Sequence, residues 1–373
     1  MNMTKFDRNI PYNDLPLLPP EKRLDENVEI LKKLVSASRA LASFNSNMLR
    51  LPNPLMLVNT IALQEAKTST EIENIFTTDD VLYKAISDSV KEKNADFATK
   101  EVLKYREALW TGFKLLKEKS NITKELIIGI FQQIKDTNSE IRPPQAQVVI
   151  RRGSSELKPG EIIYTPPRGE QLLEKLINNW VEYLNDDEKY PTDPLIKMCV
   201  SHYQFEAIHP FRDGNGRTGR ILNLLYLSDK KLLSHPTLYL SKYIIENKDD
   251  YYFKLSAVTS RKDWIPWVLF MLEAIEKTAL NTNSMIEDIV NQMESTLDYG
   301  KKNCKWYSKE VNELIFSQPY IKPKLLGNLL EKYSRTTITK YFGELEKLGI
   351  LRPIREGKEV FYVNDDLTGI LAR

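Results

Sequence analysis

The chain has 373 residues, with 53 Lys and Arg against 51 Asp and Glu, a formal net charge of +2. A hydrophobic content of 42% can give each of two or three domains a core, and so balanced a surface argues against disorder and against a chain built chiefly to coat nucleic acid or anionic membrane. Two cysteines, Cys199 and Cys304, with no CxxC spacing speak against a disulfide framework or structural zinc, and no apolar run spans a bilayer, so the expectation is a cytoplasmic protein with no membrane partner.

In chain order, Pro16, Pro19 and Pro20 mark an extended lead-in. Val28, Leu31, Leu34, Val35 and Leu41 then recur at a helical period across Glu26–Met48, and after Pro52 and Pro54 a second helix is expected through about Ala66. The following KTSTEIENIFTTDD ends in a turn that can cap the next helix. Two amphipathic helices are expected between about Asp96 and Asp136, one carrying Leu103, Leu109, Trp110 and Phe113, the other Leu126, Ile127, Ile130 and Phe131. Two β-branched runs, Val148–Ile150 and Ile162–Tyr164, predict a hairpin. Helical patterns resume at Gly169–Leu184 and Asp193–Ile208, after a glycine-rich break at Ile221–Asp229, and again beyond Asp249. Near the end, Lys322–Tyr333 and Arg335–Leu348 join at Ser334, an N-cap, and lead into a hairpin turning at Glu356-Gly357. That order is a winged helix-turn-helix pattern. Its twelve basic and nine acidic residues over 305–373 make a thin basic face, so protein recognition, dimer contacts and DNA binding stay open.

The chemistry gathers in His209-Pro-Phe-Arg-Asp213-Gly-Asn-Gly-Arg217-Thr-Gly-Arg220. Gly214, Gly216 and Gly219 satisfy G-x-G-x-x-G, but a dinucleotide fingerprint follows a strand, whereas a helical pattern stands here. As a P-loop the segment lacks the lysine and the hydroxyl residue, Arg220 and Ile221 standing there instead. As an EF-hand it has cationic Arg217 at the fifth position and Leu224 where the bidentate Glu belongs. What remains is a run of glycine amides opening a helix, an anion-binding nest, with Arg217 and Arg220 able to clamp further phosphate oxygens. Asp213 offers a hard oxygen ligand for magnesium, and His209 can accept a proton near neutral pH.

HPFRDGNGRTGR matches the Fic motif, H-x-F-x-[DE]-G-N-G-R-x-x-R, at every specified position, and the chain thereby resembles the Fic-domain protein adenylyltransferases. The resemblance implies a mainly α fold, with a Fic-type helical core, a β-hairpin flap and a C-terminal winged helix-turn-helix domain. The segments are then 1–95, an N-terminal helical part; 96–300, the core; and 301–373, the winged helix. It also implies that His209 deprotonates a target hydroxyl, which attacks the α-phosphate of ATP. Asp213 holds Mg2+; Asn215 and the amides of Gly214 and Gly216 orient the α- and β-phosphates; Arg217 and Arg220 take the outer phosphates, with Thr218 and Gly219 in the same loop. Phe211 packs the loop onto the core. Glu161, Ile162, Ile163 and Tyr164 form the flap edge that aligns the target by β-augmentation, and Tyr251, preferred to Tyr252, contacts the adenosine.

Ser69-Thr70-Glu71-Ile72-Glu73-Asn74 fits S/T-x-x-x-E-G/N, the family's inhibitory helix, expected over about 66–76, with Glu73 paired to Arg220. The expected function is AMP transfer from ATP to Ser, Thr or Tyr hydroxyls of an unknown target protein and of the chain itself, braked by Glu73. The alternatives are a winged-helix regulator using the Fic core as a nucleotide sensor, and transfer of UMP, phosphate or phosphocholine. The resemblance further implies a homodimer.

Overall fold

The structure is a computed structural model, and it describes all residues except 1–5, 21–22, 50–53, 88–91, 153–159, 330–333, 358 and 373. The helices before the hairpin are α1 (Val28–Leu49), α2 (Pro54–Ile72), α3 (Asp79–Ser87), α4 (Phe97–Lys119) and α5 (Lys124–Lys135). The hairpin pairs β1 (Ile150–Arg152) antiparallel with β2 (Glu161–Tyr164), in register Arg151 to Ile162. Its turn lies outside the described residues. After it come α6 (Glu170–Asn185), α7 (Pro194–Ile208), α8 (Asn215–Asp229), α9 (Leu240–Glu246), α10 (Lys248–Arg261) and the 40-residue α11 (Trp264–Asn303). The C-terminal unit runs α12 (Lys309–Ile315), β3 (Tyr320–Ile321), α13 (Pro323–Leu329), α14 (Arg335–Lys347), β4 (Arg352–Glu356), β5 (Glu359–Val363) and α15 (Asp365–Leu371), its sheet ordered β3-β5-β4.

The site is positioned by α7. Nearly all of it is buried, including Leu195, Met198, Val200, Tyr203, Phe205 and Ile208, and a helix apolar on every side belongs at the centre of a domain. Asp193 starts it by accepting from the Leu195 amide, with Pro194 in the first turn where no N–H is required. Lys197 is fully buried there, its ammonium held by Asp187 at 2.7 Å. Around α7 pack α6, α8 and α11, and α1 lies along the long helix. The proline-rich lead-in is pinned to this core: Asn179 exchanges hydrogen bonds with both backbone groups of Leu18, and Gln204 donates to the Pro16 carbonyl.

Two boundaries differ from the sequence reading. The second helix runs through Lys67, Thr68, Ser69 and Thr70 to Ile72, because those polar residues face inward: Thr68, Ser69 and Thr70 are buried, and Thr70 returns its hydroxyl to the Ala66 carbonyl. Tertiary packing there overrides weak helix propensity. The helix after the glycine-rich break starts at Asn215, inside the motif, and not at Ile221. In the C-terminal unit Ser334 caps α14 by accepting from Thr337 N, and the β4–β5 hairpin turns at Gly357, whose φ is +58°. Among the described residues no helix is long and apolar enough to cross a membrane.

Candidate active site

Helix α7 ends at His209, which takes a left-handed conformation (φ 51°, ψ 62°) and donates its amide to the Phe205 carbonyl. A bulky side chain in that region costs energy and is held only by its surroundings. The residue is half-buried, with Nδ1 enclosed and unpartnered, and desolvation, reinforced by the Arg142 charge, lowers its pKa to about 4. His209 is therefore neutral, and able to accept a proton, at pH 7.

The loop that follows is latched from inside. Asn215 Oδ1 accepts from Phe211 N and its Nδ2 donates to Phe211 O, both at 2.9 Å, so the side chain expected on phosphate instead fixes the loop backbone. The Phe211 ring is buried and stacks on Phe131 at 3.9 Å. Gly214 caps α8 at φ +79°, a conformation glycine adopts freely, and Thr218 donates its hydroxyl to the Gly214 carbonyl. Because α8 begins at Asn215, the amides of Asn215, Gly216 and Arg217 find no acceptor within the helix and open toward the loop mouth. This is an anion nest at a helix N-terminus.

A carboxylate stands against the nest. A Cβ on Gly216 would lie 2.3 Å from Glu73 Oε1, so this glycine is what lets the acid approach. Arg220, 2% exposed, grips the same region: Nη2 donates to Glu73 Oε1 at 2.8 Å and to the Ser69 carbonyl at 2.8 Å, and Nε donates to Ser69 Oγ at 2.7 Å. Burial alone would depress this guanidinium, but the Glu73 charge holds its pKa above the usual arginine value. Glu73 itself lies one residue beyond α2, in the turn that ends it. Ile75 N donates to Thr70 O and Asn74 N to Glu71 O, a Schellman closure with Asn74 left-handed at φ 62°. Glycine or asparagine after the glutamate is thus what the turn requires. Lys248 adds an ammonium to the Ile72 carbonyl at 2.7 Å.

The first motif arginine is turned away from the mouth. Arg217 is 2% exposed and donates through Nη1 to Glu101 of α4 at 2.7 Å, a buried pair that ties α8 to α4, while its Nε is buried with no partner. Asp213 is exposed and accepts from Gly214 N at 2.7 Å and Lys135 Nζ at 2.6 Å. Burial would raise its pKa, yet the Lys135 hydrogen bond and charge hold it below the usual carboxylate value. Among the described residues no three His, Cys, Asp or Glu gather as a metal site. A single carboxylate beside a phosphate nest fits a Mg2+ that arrives on nucleotide and keeps several waters, once Lys135 is displaced.

On the far wall Tyr251 is buried, its hydroxyl on His202 Nε2 at 2.8 Å, whereas Tyr252 beside it is 37% exposed and presents more surface to a ligand. The flap strand is anchored by Tyr164, whose hydroxyl donates to the Ala207 carbonyl at 2.8 Å. Phe6 and Tyr12 of the lead-in pack on its ring, Tyr12 N donates to Thr165 O, and Arg8 pairs with Glu161. Ile162 and Ile163 are half-buried.

Sequence reasoning missed three groups. Glu65, on α2 two turns before Glu73, is fully buried; Ser241 donates from N and Oγ and Tyr105 from its hydroxyl, while burial pushes the carboxyl pKa up. Glu206, in the last turn of α7, has a buried oxygen with no partner, and burial raises it to about 7. Arg142, between α5 and the flap, reaches the backbone of His209. None carries a local signal, because each acts across the fold.

Three profiles match in succession: "Fic/DOC family N-terminal" over residues 31–114, "Fic/DOC family" over 121–227, and "Protein adenylyltransferase SoFic-like, C-terminal domain" over 292–367. Protein adenylyltransferase fic-1 of Caenorhabditis elegans is 31% identical over 141 residues, covering 36% of this chain and 26% of that protein. Protein adenylyltransferase Fic of Aedes aegypti is 32% identical over 113 residues, covering 30% of this chain and 21% of that protein. This chain thus spans about a quarter of the length of these curated relatives. In fold it is similar to a Fic family protein from Desulfovibrio desulfuricans G20, with a TM-score of 0.56 and 19% identity over 93% of this chain and 98% of that one. With all three domain types in order and the complete motif folded as a helix-capping nest beside His209, the chain belongs to the Fic/DOC family.

Proposed function

We propose that the protein is an adenylyltransferase that moves AMP from ATP to a Ser, Thr or Tyr hydroxyl of a target protein, itself among the substrates, and that Glu73 restrains it. The observation that supports this best is the juxtaposition of a neutral, half-buried His209 with a nest whose mouth holds a carboxylate gripped by Arg220. That carboxylate stands where a phosphate oxygen belongs. In the proposed step the hydroxyl oxygen attacks the α-phosphorus as His209 takes its proton; the bond to the bridging oxygen breaks and pyrophosphate leaves. The amides of α8 and a released Arg220 neutralise the phosphates, and positioning with charge stabilisation supplies most of the rate. Asp213 would hold Mg2+, which when bound offsets charge on the phosphates. The flap strand Glu161–Tyr164 would align the target segment, Tyr252 and Tyr251 would wall the adenosine, and the C-terminal unit, with the element order of a winged helix, would serve recognition.

The test is incubation of the full chain, Glu73→Gly, and Glu73→Gly with His209→Ala with magnesium and ATP labelled at the α- or γ-phosphate, read by denaturing gel and intact mass. Transfer of α-label with an AMP mass increment, present in Glu73→Gly and lost without His209, is expected. Transfer of γ-label or of another donor's group would replace AMP in this reading, and nucleotide binding with no transfer from any donor would favour the sensor.

A further inference from the structure

The last carbonyls of a helix have no partner within it. At the end of α7 one is met by the first residue of the Fic motif and others by groups from outside it. Phe205 O takes the His209 amide and Ala207 O takes the Tyr164 hydroxyl. Arg142 takes the last carbonyl of the helix and the two beyond it: Nη2 donates to Ile208 O at 3.2 Å, Nε to His209 O at 2.8 Å, and its backbone amide to Pro210 O at 2.9 Å. The same Nη2 also donates to Pro167 O at 2.5 Å, on the segment that leaves the flap strand. Arg142 is 3% exposed, and among the described residues no carboxylate forms an ion pair with it. A buried guanidinium without a counter-ion is costly, so its hydrogen bonds to carbonyls must hold something worth that cost.

We propose that Arg142 is the positioning residue of the catalytic histidine: its fork holds the carbonyls of Ile208 and His209, fixes His209 in the left-handed conformation, and through Pro167 O ties that backbone to the exit of the flap, while its backbone amide holds Pro210 O. The imidazole and the strand that would present the target then keep one common register. This rests on His209 being the proton acceptor. Arg142 also brings charge to a helix C-terminus whose dipole would otherwise favour the imidazolium. The charged groups facing His209 are Arg142, Glu73 and Asp213, with Glu206 one turn back; burial first, then Arg142, keep the imidazole neutral against the carboxylates.

The chain has three histidines, so imidazole NMR of the full labelled protein resolves His202, His209 and His235, and His209→Ala assigns the relevant signal. Arg142→Lys and Arg142→Gln are made in the Glu73→Gly background. Lysine keeps the charge without the fork: the His209 titration is expected to stay near the parent's, while kcat falls about 10- to 100-fold with KM for ATP within about twofold. Glutamine removes the charge: the His209 titration is expected to move up from about 4 toward 6.5, and the acid limb of the rate profile to move with it. Arg142→Lys with an unchanged kcat, or folded Arg142→Gln with an unmoved His209 titration, overturns the proposal. If the parent transfers no nucleotide, the proposed function fails separately, and the titration still judges Arg142: an unmoved His209 in Arg142→Gln overturns it. If Arg142→Gln fails to fold, the lysine variant decides alone, its His209 signal losing the parent's chemical shift if the fork holds that backbone and keeping it if the fork does not.

Discussion

Replacing Glu73 by glycine removes one partner of an ion pair while leaving the turn in place, because the left-handed position that closes it is Asn74, which is unchanged, and its closing bonds are between backbone groups. Two unit charges about 4 Å apart at an effective dielectric near 20 attract by about 4 kcal/mol. The Arg220 side chain is 2% exposed but that of Glu73 is 36% exposed, so solvent screening discounts the pair to about 2 kcal/mol. That is about a 30-fold bias toward an Arg220 already engaged by carboxylate. A nucleotide γ-phosphate must overcome it to recruit Arg220, so Glu73→Gly is expected to raise the initial rate of label transfer about 30-fold at subsaturating ATP. Glu73→Gln, which keeps the volume and a hydrogen bond, should fall between. The assay is α-label incorporation at matched protein concentration, with ATP affinity measured separately by calorimetry. Glycine and parent within twofold of each other in both rate and affinity would refute the reasoning, because the contact would then carry no linkage to nucleotide.

Gly216→Ala adds a methyl group 2.3 Å from Glu73 Oε1 and 3.0 Å from Arg220 Nη1. Overpacking of this kind costs about 1–3 kcal/mol, and the loss should shrink in Glu73→Gly; equal losses in the two backgrounds, read by urea unfolding, would break the assignment. Glu65→Ala should destabilise by about 2–4 kcal/mol, since it strands the Ser241 and Tyr105 hydroxyls in the interior, whereas Glu65→Gln should cost less because burial already favours the protonated acid. Acid stability gives a signed test. The folded-state pKa of His209 is depressed, so between pH 6.5 and about 4 the unfolded chain binds a proton that the folded chain does not, and stability falls as pH falls through that window. Glu206, raised to about 7, works in the opposite direction as pH falls toward 4.5, so the quantity to measure is the difference in unfolding free energy between parent and His209→Gln at pH 7 and pH 5. The parent should lose on the order of 2 kcal/mol more than the variant, and parallel losses would show that the imidazole titrates normally.

What was legible in the sequence is what is contiguous. Twelve consecutive residues carry the proton acceptor, the nest and Arg220, and their order alone says that a helix must open on glycine amides. Ser334 was readable for the same reason, capping a helix that starts beside it. Side-chain direction was not readable. Arg217 and Arg220 share one motif, yet one turns into the interior against Glu101 and the other lies under α2. Asn215 spends its amide on Phe211, and Tyr251 spends its hydroxyl on His202, leaving Tyr252 the more exposed. These choices are made by partners as much as 151 residues away. Arg142 gave no signal because its partners are peptide carbonyls, which every residue possesses.

The contact between α3 and the C-terminal unit gives the restraint on Arg220 a second owner. Helix α3 begins six residues after Glu73, and it is fastened to the terminal sheet: Lys84 bridges Asp80 and Glu356, Tyr320 donates to Asp80 at 2.8 Å, and Tyr83 stacks on Tyr320 at 5.8 Å. Tyr83 also accepts from Gln64, inside α2. One short relay therefore joins β3, α3 and the helix whose closing turn carries Glu73. Reciprocity then governs the pair of sites: anything that loosens β3 from α3 and thereby shifts α2 must change nucleotide affinity by the same factor by which nucleotide changes its own binding. Affinity for a ligand of the terminal unit, measured with and without ATP, would read the proposed restraint by Glu73 from the opposite end of the molecule.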